Sequence, residues 1–191
     1  MNDKSLKTSS SVWSADLCIV GVGLRLPGKA VSLGSLTQIL TNEHDVIADI
    51  GSERWNKSAF YHRDNIPGHA YNLRGGTVED IYDFDADFFG MSPREVKQTD
   101  PQHRMLLQTT WEAFENAGID PFSIKDRNID VFVGISATDY GTLFHHDIAM
   151  TEAHFMPGNA MSIAANRLSY FYDFHGESMA IDTACSSSLV A

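Results

Sequence analysis

The sequence predicts an α/β domain, and two observations carry that prediction. Short apolar, β-branched runs alternate with longer stretches whose apolar residues recur at helical spacing, as when strands and helices take turns along a chain. The last run, Ser178 to Ile181, leads into Asp182-Thr183-Ala184-Cys185-Ser186-Ser187-Ser188, where small residues open a further helix and set a cysteine on a strand-to-helix turn. At 191 residues and 43% hydrophobic content, the chain is large enough for one core-bearing domain.

In order, Met1 to Ser14 is polar, carries Lys4 and Lys7, and lacks the apolar stretch of a signal peptide, so residues 1–15 read as a tail. Leu17 to Gly23 reads as a buried first strand. Its Gly21-Val22-Gly23 lacks the third glycine of a dinucleotide fingerprint, and Pro27-Gly28 stands where a helix would continue, which argues against a nucleotide site. Ser35 to Leu40 sits in a short amphipathic helix, with Leu33, Leu36, Ile39 and Leu40 near one face, fading around Asn42. Gly51 to Gly68, with Arg54-Trp55, reads as loop, and Leu73 to Val78 as an irregular strand or loop.

Asp83, Asp85 and Asp87 precede a helix start but lack the Gly turn and terminal Glu of a calcium loop, so no metal is assigned. Ser92 is an N-cap, Pro93 fits the first helical position, and Glu95 stands where it completes a capping box. Asp100 and Pro101 repeat that start for a second helix. Leu107, Trp111 and Phe114 form its core stripe, and Gly118 ends it in the left-handed conformation. His103 reads as a first-turn residue making ordinary polar contacts. Ile129 to Ile135 is the clearest strand, apolar enough for burial on both faces. His145-His146 and His154 follow; neighbouring histidines point different ways, so no shared metal is expected. Asn159 to Tyr172 reads as a helix with Ile163, Leu168 and Phe171, and Asp173 to Gly176 as the turn into the last strand.

The formal charge of −11 excludes a phosphate-binding face for nucleic acid. No stretch approaches the roughly 20 apolar residues of a membrane span. Two cysteines, Cys18 and Cys185, make no disulfide framework, which fits a reducing cytoplasmic setting. At the turn, the Cys185 sulfur lies near unpaired backbone N–H groups and the positive end of a helix, a setting that makes a nucleophile. On these residues alone a buried structural cysteine is an equal alternative.

The stretch Asp182 to Ser188 resembles the active-site signature of β-ketoacyl synthases, most closely the ketosynthase domains of modular polyketide synthases. Phe88-Phe89-Gly90-Met91-Ser92-Pro93-Arg94-Glu95, Asp100-Pro101-Gln102, Asp139-Tyr140 and Asn166-Arg167-Leu168-Ser169-Tyr170 match in the same order, so the resemblance runs over residues 16–191. The chain departs from the pattern at His103, where the family usually has a second Gln, and at Glu177, where a proline is common. The resemblance implies a thiolase-like fold of two related α/β halves. Residues 16–191 would supply most of the N-terminal half, truncated just after the active-site cysteine.

The resemblance also implies a reaction. Cys185 accepts an acyl chain as a thioester, with its backbone N–H in the oxyanion hole. Decarboxylative condensation with a malonyl-type extender follows. The family's histidines and lysine for that step lie beyond the cysteine. None of the eight histidines here, His175 before Gly176 included, stands in a matching context, so Cys185 is the one catalytic residue carried over. No bound cofactor and no metal are expected. The phosphopantetheine arm arrives on acyl carrier protein, and the further partners are downstream acyltransferase and other synthase domains and a second copy in a homodimer. Other readings are a fatty acid synthase-type ketosynthase, a thiolase-related enzyme, or an inactive, poorly folding fragment.

Overall fold

The computed structural model describes residues 17–144, 149 and 151–191. The predicted tail and the pair His145-His146 lie outside the described residues. Helix α1, Leu33–Thr41, begins at Ser32, whose hydroxyl accepts from Ser35 N at 3.1 Å while Ser35 Oγ accepts from Ser32 N at 3.0 Å. That reciprocal cap explains a helix whose apolar face alone is short. Strands β1, Ala48–Asp49, and β2, Arg74–Gly75, form a small antiparallel pair. Between them lies a one-turn helix, α2 (Lys57–Phe60), in a stretch expected to be loop; Asn56 starts it by accepting from Ala59 N.

Helix α3, Pro93–Gln98, is capped by Ser92, which accepts from Glu95 N at 3.2 Å. The Glu95 carboxylate does not complete the expected box; it binds Arg167 at 2.8 Å, a charged partner that outcompetes a single backbone N–H. Helix α4, Pro101–Ala117, starts where Asp100 accepts from Gln102 N at 2.8 Å and stops at Gly118 with φ +67°. A 3₁₀ turn, Pro121–Ile124, leads to β3, Val131–Gly134. Then come α5 (Asp139–Thr142), α6 (Phe155–Asn159), α7 (Met161–Tyr172), β4 (Ser178–Ile181) and α8 (Ser187–Val190). The helix predicted over Asn159 to Tyr172 is α7, which starts two residues later because Ala160 is extended; α6 precedes it as a separate turn. At the end of α6, the Asn159 side-chain amide donates to Gln98 O at 2.7 Å and to Phe155 O at 2.8 Å, which ties it to the end of α3.

Strands β3 and β4 pair in parallel, Val131 with Ser178 through Gly134 with Ile181. Helix α7 covers one face of this pair, and α4 packs on α7. The core consists of Leu107, Val133, Ala164, Ala165, Leu168, Tyr172 and Phe174, extended by Phe89 and Met91. Ala164 and Ala165 let α7 approach closely. Tyr172 is fully buried, donates its hydroxyl to Leu107 O at 3.2 Å, and stacks on Phe174 at 5.5 Å. Burial pushes its phenol well above the ordinary tyrosine range.

Two of the strand expectations fail. Leu17 to Gly23 is not a buried strand: Leu17 is 97% exposed, Ile19 and Val20 are exposed, and among the described residues no strand pairs with it. The segment runs against α4 instead, with Gly21 and Gly23 set so close to the carbonyls of Ala113 and Thr109 that a side chain would collide with them. Val22 N donates to Asn116 Oδ1 at 3.1 Å, and Arg25 pairs with Glu112. An apolar run becomes a strand only where a neighbour takes up its backbone groups. The second failure concerns β3, whose face away from α7 is covered only at its end, where α8 lies over Gly134. Phe132 and its register partner Met179 point away from α7 and stay half-exposed.

Candidate active site

The end of β4 feeds directly into the predicted nucleophile turn. Ile181 O accepts from Ile135 N at 3.1 Å, which fixes the strand end beside β3. Asp182 Oδ1 then accepts from Ala184 N at 2.9 Å, and Ala184 takes the left-handed conformation with φ +57°. For a residue with a Cβ that conformation costs roughly 1–2 kcal/mol, so the surrounding bonds must hold it. Ser186 Oγ donates to Thr183 O at 2.9 Å. Ser187 Oγ accepts from Thr183 N at 2.9 Å and donates to Ala184 O at 2.6 Å.

Cys185 stands at the apex of this turn, exposed and free of any disulfide. Among the described residues neither its thiol nor its N–H is hydrogen-bonded to a protein group. In this chain the cysteine is exposed rather than buried. A thiol open to solvent, beside an unspent backbone donor at the start of α8, can attack an electrophilic carbonyl and offer a hydrogen bond to the oxygen that becomes charged. Helix α8 can lie over β3 because position 134 is glycine: a Cβ there would sit 2.6 Å from Ser188 N.

The Asp100 to Arg104 stretch is more deeply buried than its polar sequence suggests. Gln98, Thr99, Asp100, His103 and Arg104 are all buried. His103 does not make the ordinary polar contacts expected of it. It is 2% exposed, its Nδ1 has no partner among the described residues, and burial, with the Arg167 charge nearby, holds its pKa down to about 4. Burial also lowers the Arg104 pKa and raises that of Asp100. Asp85 Oδ1 accepts from Phe88 N at 3.0 Å in a loop turn. His154 precedes α6, and His175 lies 3.3 Å from Asp173 and 3.5 Å from Asp126. Cys18, the second cysteine, is exposed on the segment beside α4.

The sequence reading found Cys185 and missed Ser187 and Gly134. A glycine closing a β-branched strand and the middle serine of a triplet were the available signals, but neither says which backbone atoms it will meet.

Comparison with known proteins bears on the identity of this turn. The family described as "Beta-ketoacyl synthase, N-terminal domain" matches residues 14–191. Polyketide synthase GfsA of Streptomyces halstedii is 40% identical over 197 residues, which cover 99% of this chain and 3% of that protein. Reducing polyketide synthase 8 of Fusarium mangiferae is 45% identical over 175 residues, covering 92% of this chain and 7% of that one. Among solved structures, the oxazolomycin ketosynthase domain of Streptomyces albus superimposes with TM-score 0.84 at 36% identity, covering 91% of this chain and 30% of that one. The ketosynthase from module 6 of the Bacillus subtilis bacillaene synthase gives 0.75 at 34%, covering 90% and 27%. The chain thus spans a small part of its curated relatives and under a third of the solved ketosynthases. With the signature turn, the α/β order and the matched length in agreement, the chain belongs to the β-ketoacyl synthase family, as the N-terminal part of a polyketide synthase-type ketosynthase with the thiolase-like fold.

Proposed function

We propose that this chain carries the acyl-accepting nucleophile of a polyketide-type ketosynthase, and that the nucleophile is Cys185. One observation supports this most directly: the thiol stands exposed at the end of β4 with its own N–H unspent. In the proposed step the Cys185 thiolate attacks the carbonyl carbon of an acyl thioester on a phosphopantetheine arm presented by acyl carrier protein. The carbonyl oxygen becomes an oxyanion, which accepts from the Cys185 N–H. Collapse forms the acyl–Cys185 thioester and expels the phosphopantetheine thiolate, which takes up a proton. A malonyl-type extender on a second carrier then loses carbon dioxide, and the resulting carbanion attacks the acyl–Cys185 carbonyl and releases the Cys185 thiolate.

Residues 1–191 by themselves supply the loading cysteine and not the condensation, since none of their histidines stands in the sequence context the family uses. The working protein is a cytoplasmic homodimer that meets carrier protein and further synthase domains. The test is acyl loading of a ketosynthase that contains this chain, read by intact mass. Cys185→Ala loses the acyl adduct; an adduct of unchanged yield overturns the assignment. Residues 1–191 alone, assayed with acyl and malonyl carrier proteins, give no condensation product, and turnover within about tenfold of the complete ketosynthase refutes that part.

A further inference from the structure

We propose that Ser187 is the positioning residue of the nucleophile turn: its buried hydroxyl clamps the main chain across Ala184, and the presentation of Cys185 depends on that clamp. The inference rests on Cys185 being the nucleophile, but its test does not. Three side chains tie the turn from outside Cys185. Asp182 holds Ala184 N, Ser186 holds Thr183 O, and Ser187 holds both Thr183 N and Ala184 O. Ser187 also donates its own N–H to Ala184 O at 3.1 Å.

Of the three, Ser187 alone is buried, at 4% exposure; Asp182 is exposed and Ser186 only partly covered. Water competes more readily for the bonds that Asp182 and Ser186 make at the surface than for the part-buried bonds of Ser187. The Ser187 bonds therefore set the turn, and the outer two trim it.

The need for a clamp comes from Ala184. Its left-handed backbone is disfavoured for any residue with a Cβ, and a turn free to relax would bring φ back to negative values. That rotation would swing the following residue, which is Cys185. Ser187 prevents it by bonding on both sides of the Ala184 N–Cα–C unit, to the residue before it and to its own carbonyl. The Cys185 N–H itself meets no protein acceptor among the described residues and remains free for a ligand. Gly134 completes the arrangement, because its missing Cβ lets the backbone of Ser187 and Ser188 settle against β3.

If Ser187 acts through Ala184, the effect of removing its hydroxyl depends on which residue occupies position 184. Glycine adopts the left-handed conformation without penalty. The experiment uses Ser187→Ala, Ser187→Thr and the double variant Ala184→Gly/Ser187→Ala of this chain. Iodoacetamide labelling followed by peptide mass gives the rate at Cys185 relative to glutathione alkylated in the same reaction, which serves as the reference. Hydrogen exchange reads the Thr183 amide. Ser187→Ala lowers the Cys185-to-glutathione labelling ratio about threefold or more and removes about tenfold of the Thr183 protection. Ser187→Thr, which keeps the hydroxyl, retains both.

The double variant restores the labelling ratio but not the Thr183 protection. An unchanged ratio in Ser187→Ala, or a double variant that stays as low as the single one, overturns the proposal. Should Ser187→Ala fail to fold, the double variant decides alone: a folded chain with the wild-type ratio supports the clamp, and an unfolded one refutes it. Failure of Cys185 to load an acyl group would sink the nucleophile assignment while leaving these readouts intact.

Discussion

Glu95 Oε1 and Arg167 Nη1 lie 2.8 Å apart and join the first turn of α3 to the middle of α7, with both side chains largely withdrawn from solvent. The same Arg167 also reaches Pro157 O at 3.3 Å, so one guanidinium gathers α3, α6 and α7. Both residues belong to stretches that match the family signature.

Removing one partner of this pair leaves the other charge in a poorly solvated site. Glu95→Ala is expected to lower stability by about 2 kcal/mol, less than for a fully buried pair because water still reaches both groups. Urea denaturation of wild type, Glu95→Ala and Arg167→Met, and of the double variant, checks this. The double variant should be less destabilised than the sum of the singles, and strict additivity would show that the pair is not coupled.

Gly134→Ala is expected to separate α8 from β3. The added Cβ meets backbone rather than a side-chain tip, so no rotamer change relieves it. Overpacking of this kind costs about 1–3 kcal/mol. The matching functional outcome is a severe loss of acyl loading at Cys185 in a ketosynthase carrying the change, with the remaining fold retained by circular dichroism.

His103 makes stability depend on pH. In the folded chain its pKa is held down to about 4, whereas the unfolded side chain titrates near 6.5. As pH falls below 6.5 the unfolded state binds a proton that the folded state refuses, so stability drops from pH 6.5 toward 4 and the loss is complete below that. The contribution is roughly 2–3 kcal/mol at pH 4.5. His103→Gln, which removes the titrating group, should shrink the difference in urea midpoint between pH 7 and pH 4.5; an unchanged difference would mean that His103 protonates as readily folded as unfolded.

The chain is expected to self-associate through its uncovered apolar residues. Leu17, Ile19 and Val20 beside α4, Phe132 and Met179 on the open sheet face, and Leu189 on α8 are all exposed. Sedimentation of residues 1–191 at micromolar concentration should give species larger than the 21.1 kDa monomer. Ile19→Ser with Phe132→Ser should shift the distribution toward monomer, and a sharp monomer boundary for the unsubstituted chain would contradict the expectation.

Local signals in the sequence were dependable here. Ser92, Asp100 and Gly118 each act on backbone atoms within a few residues, and each element they bound formed where its cap placed it. The cysteine turn was legible for the same reason, since strand end, small residues and helix start are contiguous. What the sequence hid was decided by distant atoms. Glu95 met Arg167 instead of its own N-cap, and His103 lost its water to burial. Leu17 to Gly23 has the composition of a strand, yet composition does not provide the neighbour that makes one.

The parallel register pairs Val131 with Ser178, 47 positions later in the chain, and carries a consequence for the order of events during folding. Helices such as α4 and α7 close bonds four residues apart and can form early. The β3–β4 ladder must first bring together two strands separated by the whole of α5 to α7, an entropic step that local contacts cannot shortcut. Ser188 meets Gly134, and Ile135 meets Ile181, only after that loop has closed. The turn that presents Cys185 is thus assembled among the last features of the domain, and an incompletely folded chain carries the Cys185 thiol on an unformed turn.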